Sequence, residues 1–379
     1  MRKILLVSEI FPPKTGGSGR WFWEIYRRLP KQHVACLVGQ HPQAGPVDKI
    51  FPHPVFRAGL ASREWGLRSR SGLRFYFRTW RALVKLVNQE GIGQVHCGRV
   101  LPEGLASLLL KLTHRIPYTC YVHGEDVETA LTSRELAFLT GRVMHHAEHI
   151  IANSQNSKRI LTEKWGMPDH KVTVMTPGVD IEKFCPDPAS FRPPHWTGKR
   201  VILTVGRLQK RKGHDMMIRA LPELIKIFPD IHYCIVGDGD ERCNLETLSI
   251  NLGVAEHVEF AGEIDDREMV VRYRHCELFA LPNRRVGNDD EGFGMVLLEA
   301  QACGRSVLAG DSGGTSETMV EGETGVVCDC TAPEHIVAKL RWLLSEPELL
   351  VNMGIKGRAH MQENFSWSAL TSRALTIFQ

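Results

Sequence analysis

The chain has 379 residues, 43% of them hydrophobic and 24% charged, with a formal net charge of +4. That length and balance suit a folded chain of two domains and exclude a disordered or fibrous one. No apolar run reaches the roughly 18 residues that a spanning helix needs, and the ten cysteines form no CxxC pair, so reduced thiols in a cytoplasmic protein are expected rather than a disulfide framework.

Read in chain order, short β-rich runs alternate with helical patterns. The opening residues MRKILLVSEI read as a buried strand, not as a secretion signal. In the first half, strands are expected at 3–8, 33–39, 94–97, 118–124, 149–154 and 172–178, with helices at 18–29, 71–91, 102–114, 133–147 and 155–166. In the second half, strands are expected at 201–207, 231–239, 258–263, 277–283, 306–311 and 324–329. The pattern predicts an α/β chain of two Rossmann-like, doubly wound domains, 1–185 and 201–361. FCPDPASFRPPHWTGKR (184–200) carries four prolines and no periodicity, so 186–200 reads as the linker. A helix at about 362–379 is a candidate to pack back on the first domain. Open parallel sheets bind ligands beyond the carboxyl ends of their strands, so two opposed domains imply a site in a central cleft.

Several strand ends carry chemistry. FPPKTGGSGRW places Gly16 and Gly17 just before a helix, where backbone N–H groups and the helix dipole favour an anion; a plain strand-to-helix turn is the bland alternative. GRLQKRKGHD sets Arg207, Lys210, Arg211 and Lys212 after a buried strand, in the place where a diphosphate would sit; otherwise it is a solvated basic turn. VGDGDE puts Gly237 and Asp238 at another strand end, suited to a base or ribose or simply to a turn. YVHGED puts His123 at a strand end, either as a binding-site residue or as a structural histidine. In MHHAEH, His145 and His149 stand at i, i+4, a spacing that can bind metal, but no third ligand is apparent nearby and no metal or cofactor is expected.

The stretch NDDEGFGMVLLEAQACG holds two glutamates, Glu291 and Glu299, eight positions apart. On a continuous helix they would lie about 12 Å apart along the axis and about 80° apart around it. Acid/base carboxylates acting on one glycosidic bond stand roughly 5–9.5 Å apart. The pair therefore reads as two contacts to different parts of one long ligand, with helix-start amides at a phosphate between them. A sugar nucleotide has that shape.

The set PPKTGG, HGED, TPGVD, GRLQKRKG, VGDGDE, EGFGMVLLEA and GGTSETMVEGETG resembles the retaining glycosyltransferases of family 4, which have the GT-B fold, over residues 1 to about 370. The resemblance implies a metal-independent transferase using a nucleotide diphosphate sugar. It implies Glu299 at the ribose hydroxyls and Arg207 with Lys212 at the diphosphate. It places Glu291 at the hydroxyls of the transferred sugar, helped by Gly292, Phe293, Gly294, Met295 and Val296, and His123 near the reaction centre. Gly16 and Gly17 approach the phosphate, and the base lies by Gly237, Asp238, Gly262 and Ile264. The insert NRRVGNDD leaves Arg284, Arg285, Asp289 and Asp290 without a role. The pattern looks closest to lipid-directed mannosyltransferases, which favours GDP-mannose over UDP-glucose or UDP-N-acetylglucosamine. A UDP-sugar 2-epimerase of the same fold and a non-catalytic binding module are the alternatives.

Charge is uneven along the chain. Residues 1–185 hold 26 Lys/Arg against 15 Asp/Glu, and the remainder 21 against 28. Between 49 and 85 there are nine basic residues and one acid, and Arg74, Arg78, Arg81 and Lys85 are interleaved with Phe75, Phe77 and Trp80. A basic face beside aromatics suits an anionic membrane surface and a lipid-linked or glycan acceptor; the alternative is a solvated helix packed on the first domain. Nucleic acid is not expected, since neither a stacking platform nor a groove-reading motif is present.

Overall fold

In the computed structural model, which describes residues 2–14, 16–62 and 64–378, thirteen strands form two wholly parallel sheets. The first sheet contains β1 (Ile4–Ser8), β2 (Val34–Gly39), β3 (Val55–Ala58), β4 (Gln94–Cys97), β5 (Tyr118–Val122), β6 (His149–Ala152) and β7 (Val172–Val174), in the order β3-β2-β1-β4-β5-β6-β7. The second contains β8 (Arg200–Val205), β9 (Ile231–Val236), β10 (Val258–Gly262), β11 (Leu278–Leu281), β12 (Val307–Gly310) and β13 (Gly325–Cys328), in the order β10-β9-β8-β11-β12-β13. The chain divides into two compact units, Met1–Pro177 with Trp367–Gln379, and Gly178–Ser366.

The central strands are buried along their whole length, as in ILLVS of β1 and IHYCIV of β9. Helices cover both faces of such sheets, which is why these strands read as continuous apolar runs rather than alternating ones. β3 escaped the sequence reading because VFRA is only four residues long and is interrupted by Arg57, so it offers no apolar run; β10, equally half-buried and at an edge, was legible. Helices begin where short polar side chains accept the free N–H groups of the first turn: Ser69 from Gly72, Ser133 from Leu136, Ser154 from Ser157 and Asp265 from Arg267 and Glu268.

Two expectations change. The segment 186–200 is not a free linker but packs on the second unit. Trp196 is fully buried there and donates to Glu259 Oε2 at 2.8 Å, and Arg192 forks onto Glu277 at 2.9 and 3.2 Å. Its prolines mark irregular backbone, not a break between packed bodies. The helix expected over 102–114 is present: after an extended Leu101 the backbone is helical to Gly104 and continues as the α-helix Leu105–His114. His145 and His149 do not share a helix face: the helix Arg134–His146 ends first, and His149 opens β6.

The last helix, Trp367–Ile377, belongs to the first unit and packs against the helix Gly17–Tyr26. Beyond it, Phe378 stacks on Tyr26 at 5.9 Å and meets His96 edge-on at 4.7 Å.

Candidate functional site

The order of the second sheet reverses between β8 and β11. The chain winds outward from β8 through β9 to β10, then returns to β11 and winds the other way. At such a switch point the loops leaving two adjacent strands diverge and open a crevice at their carboxyl ends. Here those loops are Gly206–Gly213 and Pro282–Gly294, and they carry the cations and the first glutamate singled out from sequence.

Two glycines lock the loops into place. Gly213 has φ +75°, and a Cβ there would fall 1.7 Å from the Pro282 carbonyl oxygen. Gly313, in the loop after β12, has φ +73°, and a Cβ there would fall 1.8 Å from the Glu291 carbonyl oxygen. Only glycine permits both the left-handed turn and this approach. Gly314 N donates to that Glu291 carbonyl at 3.0 Å. Glu291 is thus fixed by its backbone in a loop, not on a helix; the helix runs only over Met295–Ala302.

The Glu291 carboxylate sits between two cations. Lys212 Nζ lies 2.6 Å from Oε2, and Arg211 Nη1 donates to the same oxygen. All three residues are more than nine-tenths buried. Burial by itself would raise the carboxyl pKa, but Lys212 and then Arg211 outweigh it and hold Glu291 below the usual carboxylate range. Arg211 also reaches Asp289 Oδ1 at 3.1 Å. Arg207 stands exposed just beyond β8.

Glu299 lies on the helix Met295–Ala302 and has a different partner: its Oε2 accepts from the Tyr273 hydroxyl at 2.8 Å. The two glutamates therefore hold separate stations. Gly237 N donates to the Gly262 carbonyl at 2.8 Å, which joins two of the residues expected near a base. Asp238 accepts from Leu208 N at 3.0 Å through its carbonyl and from Gly239 N at 2.7 Å through Oδ1. Phe293 is buried, Gly292, Met295 and Val296 are half-buried, and Ile264 packs on the adjoining core.

The insert residues left without a role from sequence form an ionic frame around this site. Arg284 forks onto Asp215 at 2.8 Å through both nitrogens, and its N–H donates to the Arg211 carbonyl at 2.8 Å. Asp290 accepts from Ser312 Oγ and from Glu291 N, the latter at 3.0 Å, and Arg285 approaches it at 3.8 Å. Sequence offered little signal for these pairs, since Asp215 and Arg284 are 69 positions apart.

In the first unit the reversal falls between β1 and β4. His123 follows β5, and its ring meets Trp21 edge-on at 5.9 Å. Its Nε2 lies 2.8 Å from the Gly98 carbonyl. A carbonyl only accepts, so Nε2 is the protonated nitrogen in this contact. Gly16 and Gly17 are exposed at the start of the helix Gly17–Tyr26. A charged group that sequence did not single out lies at this reversal. Arg99 pairs with Glu9 (2.5 Å) and approaches Glu103 at 3.6 Å, Glu103 accepts from Glu9 N at 3.0 Å, and Lys14 reaches Glu9 at 2.6 Å. Among the described residues no group of three or more His, Cys, Asp or Glu side chains is placed to hold a metal ion, and no helix is long and apolar enough to cross a membrane.

Two doubly wound parallel units in one chain, one with clustered cations and carboxylates at its switch point, define a nucleotide-dependent transferase of the GT-B class. Residues 15–183 match the family model "Glycosyltransferase Family 4", and residues 187–360 match "Glycosyl transferases group 1". The chain is 31% identical over 377 residues to a GDP-mannose-dependent alpha-(1-6)-phosphatidylinositol monomannoside mannosyltransferase of Mycolicibacterium smegmatis, covering 98% of this chain and 96% of that protein. It is 30% identical over 393 residues to the GDP-mannose-dependent monoacylated alpha-(1-6)-phosphatidylinositol monomannoside mannosyltransferase of Corynebacterium glutamicum, covering 100% and 98%. Among solved structures, Anabaena Alr3699/HepE in complex with UDP superposes with a TM-score of 0.83 at 17% identity over 99% of each chain. The chain belongs to the family 4 glycosyltransferases and transfers a sugar from a nucleotide sugar.

Proposed function

We propose that the protein is a retaining mannosyltransferase that moves mannose from GDP-mannose to a hydroxyl of a glycolipid acceptor, without a metal. The observation that carries this reading is the buried Lys212–Glu291 pair, 2.6 Å apart at the switch point of the second sheet. It sets a cation for a diphosphate directly beside a carboxylate for sugar hydroxyls, the order in which a sugar nucleotide presents those groups. The full-length similarity to two GDP-mannose-dependent enzymes favours this donor and a phosphoinositide-type acceptor.

The assigned roles follow the ligand from end to end. Glu299, steadied by Tyr273, takes the ribose hydroxyls. Arg207, Lys212 and the amides at Gly294–Val296 take the diphosphate, and Gly16 and Gly17 approach it. Glu291 takes the hydroxyls of the mannose, and His123 acts near the reacting carbon. The base lies by Gly237, Asp238, Gly262 and Ile264. Preorganised cations lower the barrier most where charge develops, here on the leaving phosphate oxygens. In a front-side substitution the C1–O bond to the phosphate breaks first, the departing phosphate oxygen takes the proton of the acceptor hydroxyl, and the acceptor oxygen bonds to C1 on the same face.

The helix Arg70–Glu90 supports a membrane-surface acceptor. Leu73 and Phe77 are exposed at 53% and 57%, Leu112 at 67% lies on the neighbouring helix, and Arg74, Arg78, Arg81 and Lys85 are also exposed. Arg81 lies over the Phe77 ring at 5.9 Å. Apolar side chains ringed by arginines suit the headgroup layer of an anionic leaflet.

The deciding experiment is a thermal-shift screen of nucleotides, followed by mass spectrometry of transfer from the donor it selects to phosphatidylinositol mannoside. The expected result is a shift with GDP, none with UDP, and a product heavier by one hexose. A shift with UDP alone would replace GDP-mannose by a UDP-sugar, and no shift with either would overturn the donor reading.

A further inference from the structure

The Lys212–Glu291 pair sets a problem for the reading on which this inference rests. If Lys212 is the cation for the donor diphosphate, its charge is drawn towards the phosphates when donor binds. Glu291 must then stay ionised, and aimed at the sugar, in a site from which water has been largely excluded. A buried carboxylate that loses its only counter-charge takes up a proton or moves. Glu291 has a second cation, which the assigned roles leave unused.

We infer that Arg211 is the positioning residue for Glu291, the fixed counter-ion that keeps its carboxylate charged and aligned while Lys212 turns to the diphosphate. Four observations carry this. Arg211 is 6% exposed and donates to the same oxygen, Oε2, that Lys212 approaches. Its Nε is engaged separately by Asp289 at 3.1 Å, so the guanidinium bridges two carboxylates and its plane is fixed at two edges. Its backbone carbonyl accepts from Arg284 N at 2.8 Å, and Arg284 is itself forked onto Asp215, so the main chain behind the side chain is pinned as well. Glu291 is pinned in turn through Gly314 N and Asp290.

The chemistry of the two cations divides the labour. A lysine ammonium is a point charge on a flexible stem, able to shift from one anion to another, whereas a guanidinium clamped at two edges is not. The insert NRRVGNDD then has a purpose: Asp289 sets the Arg211 plane, Asp290 with Ser312 sets the Glu291 backbone, and Arg284 sets the Arg211 backbone. The charged groups facing Glu291 are Lys212 and Arg211 from the loop after β8 and Asp290 beside it, with Asp289 and Arg285 one step further out.

The test is calorimetric binding of GDP and of GDP-mannose, for the unaltered protein and for Arg211→Met, Arg211→Lys and Lys212→Met, across pH 5 to 8. The ratio of the two affinities isolates the contribution of the sugar. Arg211→Met is expected to bind GDP within about twofold of the unaltered protein. It should lose about tenfold in the sugar-dependent ratio, the scale of one hydrogen bond to a charged group, and the ratio should collapse at a higher pH, because Glu291 without Arg211 protonates more readily. Arg211→Lys should restore part of the ratio, and Lys212→Met should lose GDP itself. A GDP-mannose to GDP ratio in Arg211→Met that matches the unaltered protein at every pH would overturn the positioning role. Lys212→Met binding GDP as tightly as the unaltered protein would instead overturn the diphosphate assignment beneath it.

Discussion

Tyr273 donates its hydroxyl to Glu299 Oε2 at 2.8 Å, with both side chains buried. The phenol comes from the helix Asp266–His275 and the carboxylate from the helix Met295–Ala302, so one bond ties two helices at the station assigned to the ribose. Tyr273→Phe keeps the ring packing and removes that bond. It should cost about 1.5–3 kcal/mol, the scale of a hydrogen bond to a charged group, read as a fall of roughly 3–12 °C in the melting temperature of a unit this size. The preference for GDP over 2′-deoxy-GDP should shrink in parallel. An undiminished preference would detach Tyr273 from ribose recognition.

Lys212→Ala should lower turnover by about 10²–10³-fold, corresponding to about 2.7–4 kcal/mol of barrier, by analogy with the loss of one preorganised donor. The variant should still fold, because Arg211 continues to neutralise Glu291. Steady-state kinetics with far-ultraviolet circular dichroism as the folding control would check this, and unchanged turnover would refute the role.

Buried histidines set a pH dependence of stability. Burial, with His149 nearby, pushes the His96 pKa down to about 3, and burial with Lys212 nearby pushes His214 down to about 4. The unfolded chain binds these protons near pH 6.5. Stability is therefore fully present above about pH 6.5 and falls as pH drops towards 4 and 3, by up to about 1.4 kcal/mol per pH unit for each histidine. In urea titrations between pH 7 and 5, His96→Asn should flatten the slope of stability against pH. An identical slope would mean that His96 charges freely in the fold.

Phe77→Asp and Arg81→Glu should each weaken co-flotation with vesicles containing phosphatidylserine, and binding by the unaltered protein should fall as salt rises, since about 1 kcal/mol per surface basic residue is screened beyond a Debye length. GDP binding should not change, because neither position is among the residues assigned to the donor. Flotation of Phe77→Asp equal to that of the unaltered protein would remove the helix Arg70–Glu90 from any membrane role.

Transfer should survive EDTA at millimolar excess and should not rise on adding Mg2+ or Mn2+. A strict requirement for either ion would replace the front-side scheme driven by Arg207 and Lys212 with a metal-assisted one.

Much of the architecture was legible from the chain itself. Strands buried on both faces are continuous apolar runs, so all but β3 could be read from local composition. β3 could not, because its four residues, VFRA, are broken by Arg57 and carry no apolar run. Strand ends were read too long after β5, β6, β7, β8, β9 and β11, where the residues that follow lie outside the strands. The irregular prolines of 186–200 looked like a linker, since composition reports the absence of periodicity and not the burial of Trp196.

The sequence by itself determined the residue types and their stations: a cation loop after β8, a glutamate before a helix and another on it, and a histidine after β5. Each follows from short-range pattern, as strand, loop and helix start succeed one another along the chain. Only the tertiary structure decided who holds whom. That Glu291 shares one oxygen between Lys212 and Arg211, that Asp215 holds Arg284, and that Tyr273 rather than another group steadies Glu299 depend on β8 lying beside β11 in the sheet. Pairings between residues 26 to 80 positions apart are set by strand order and by glycines that let carbonyls approach, and no local periodicity encodes them.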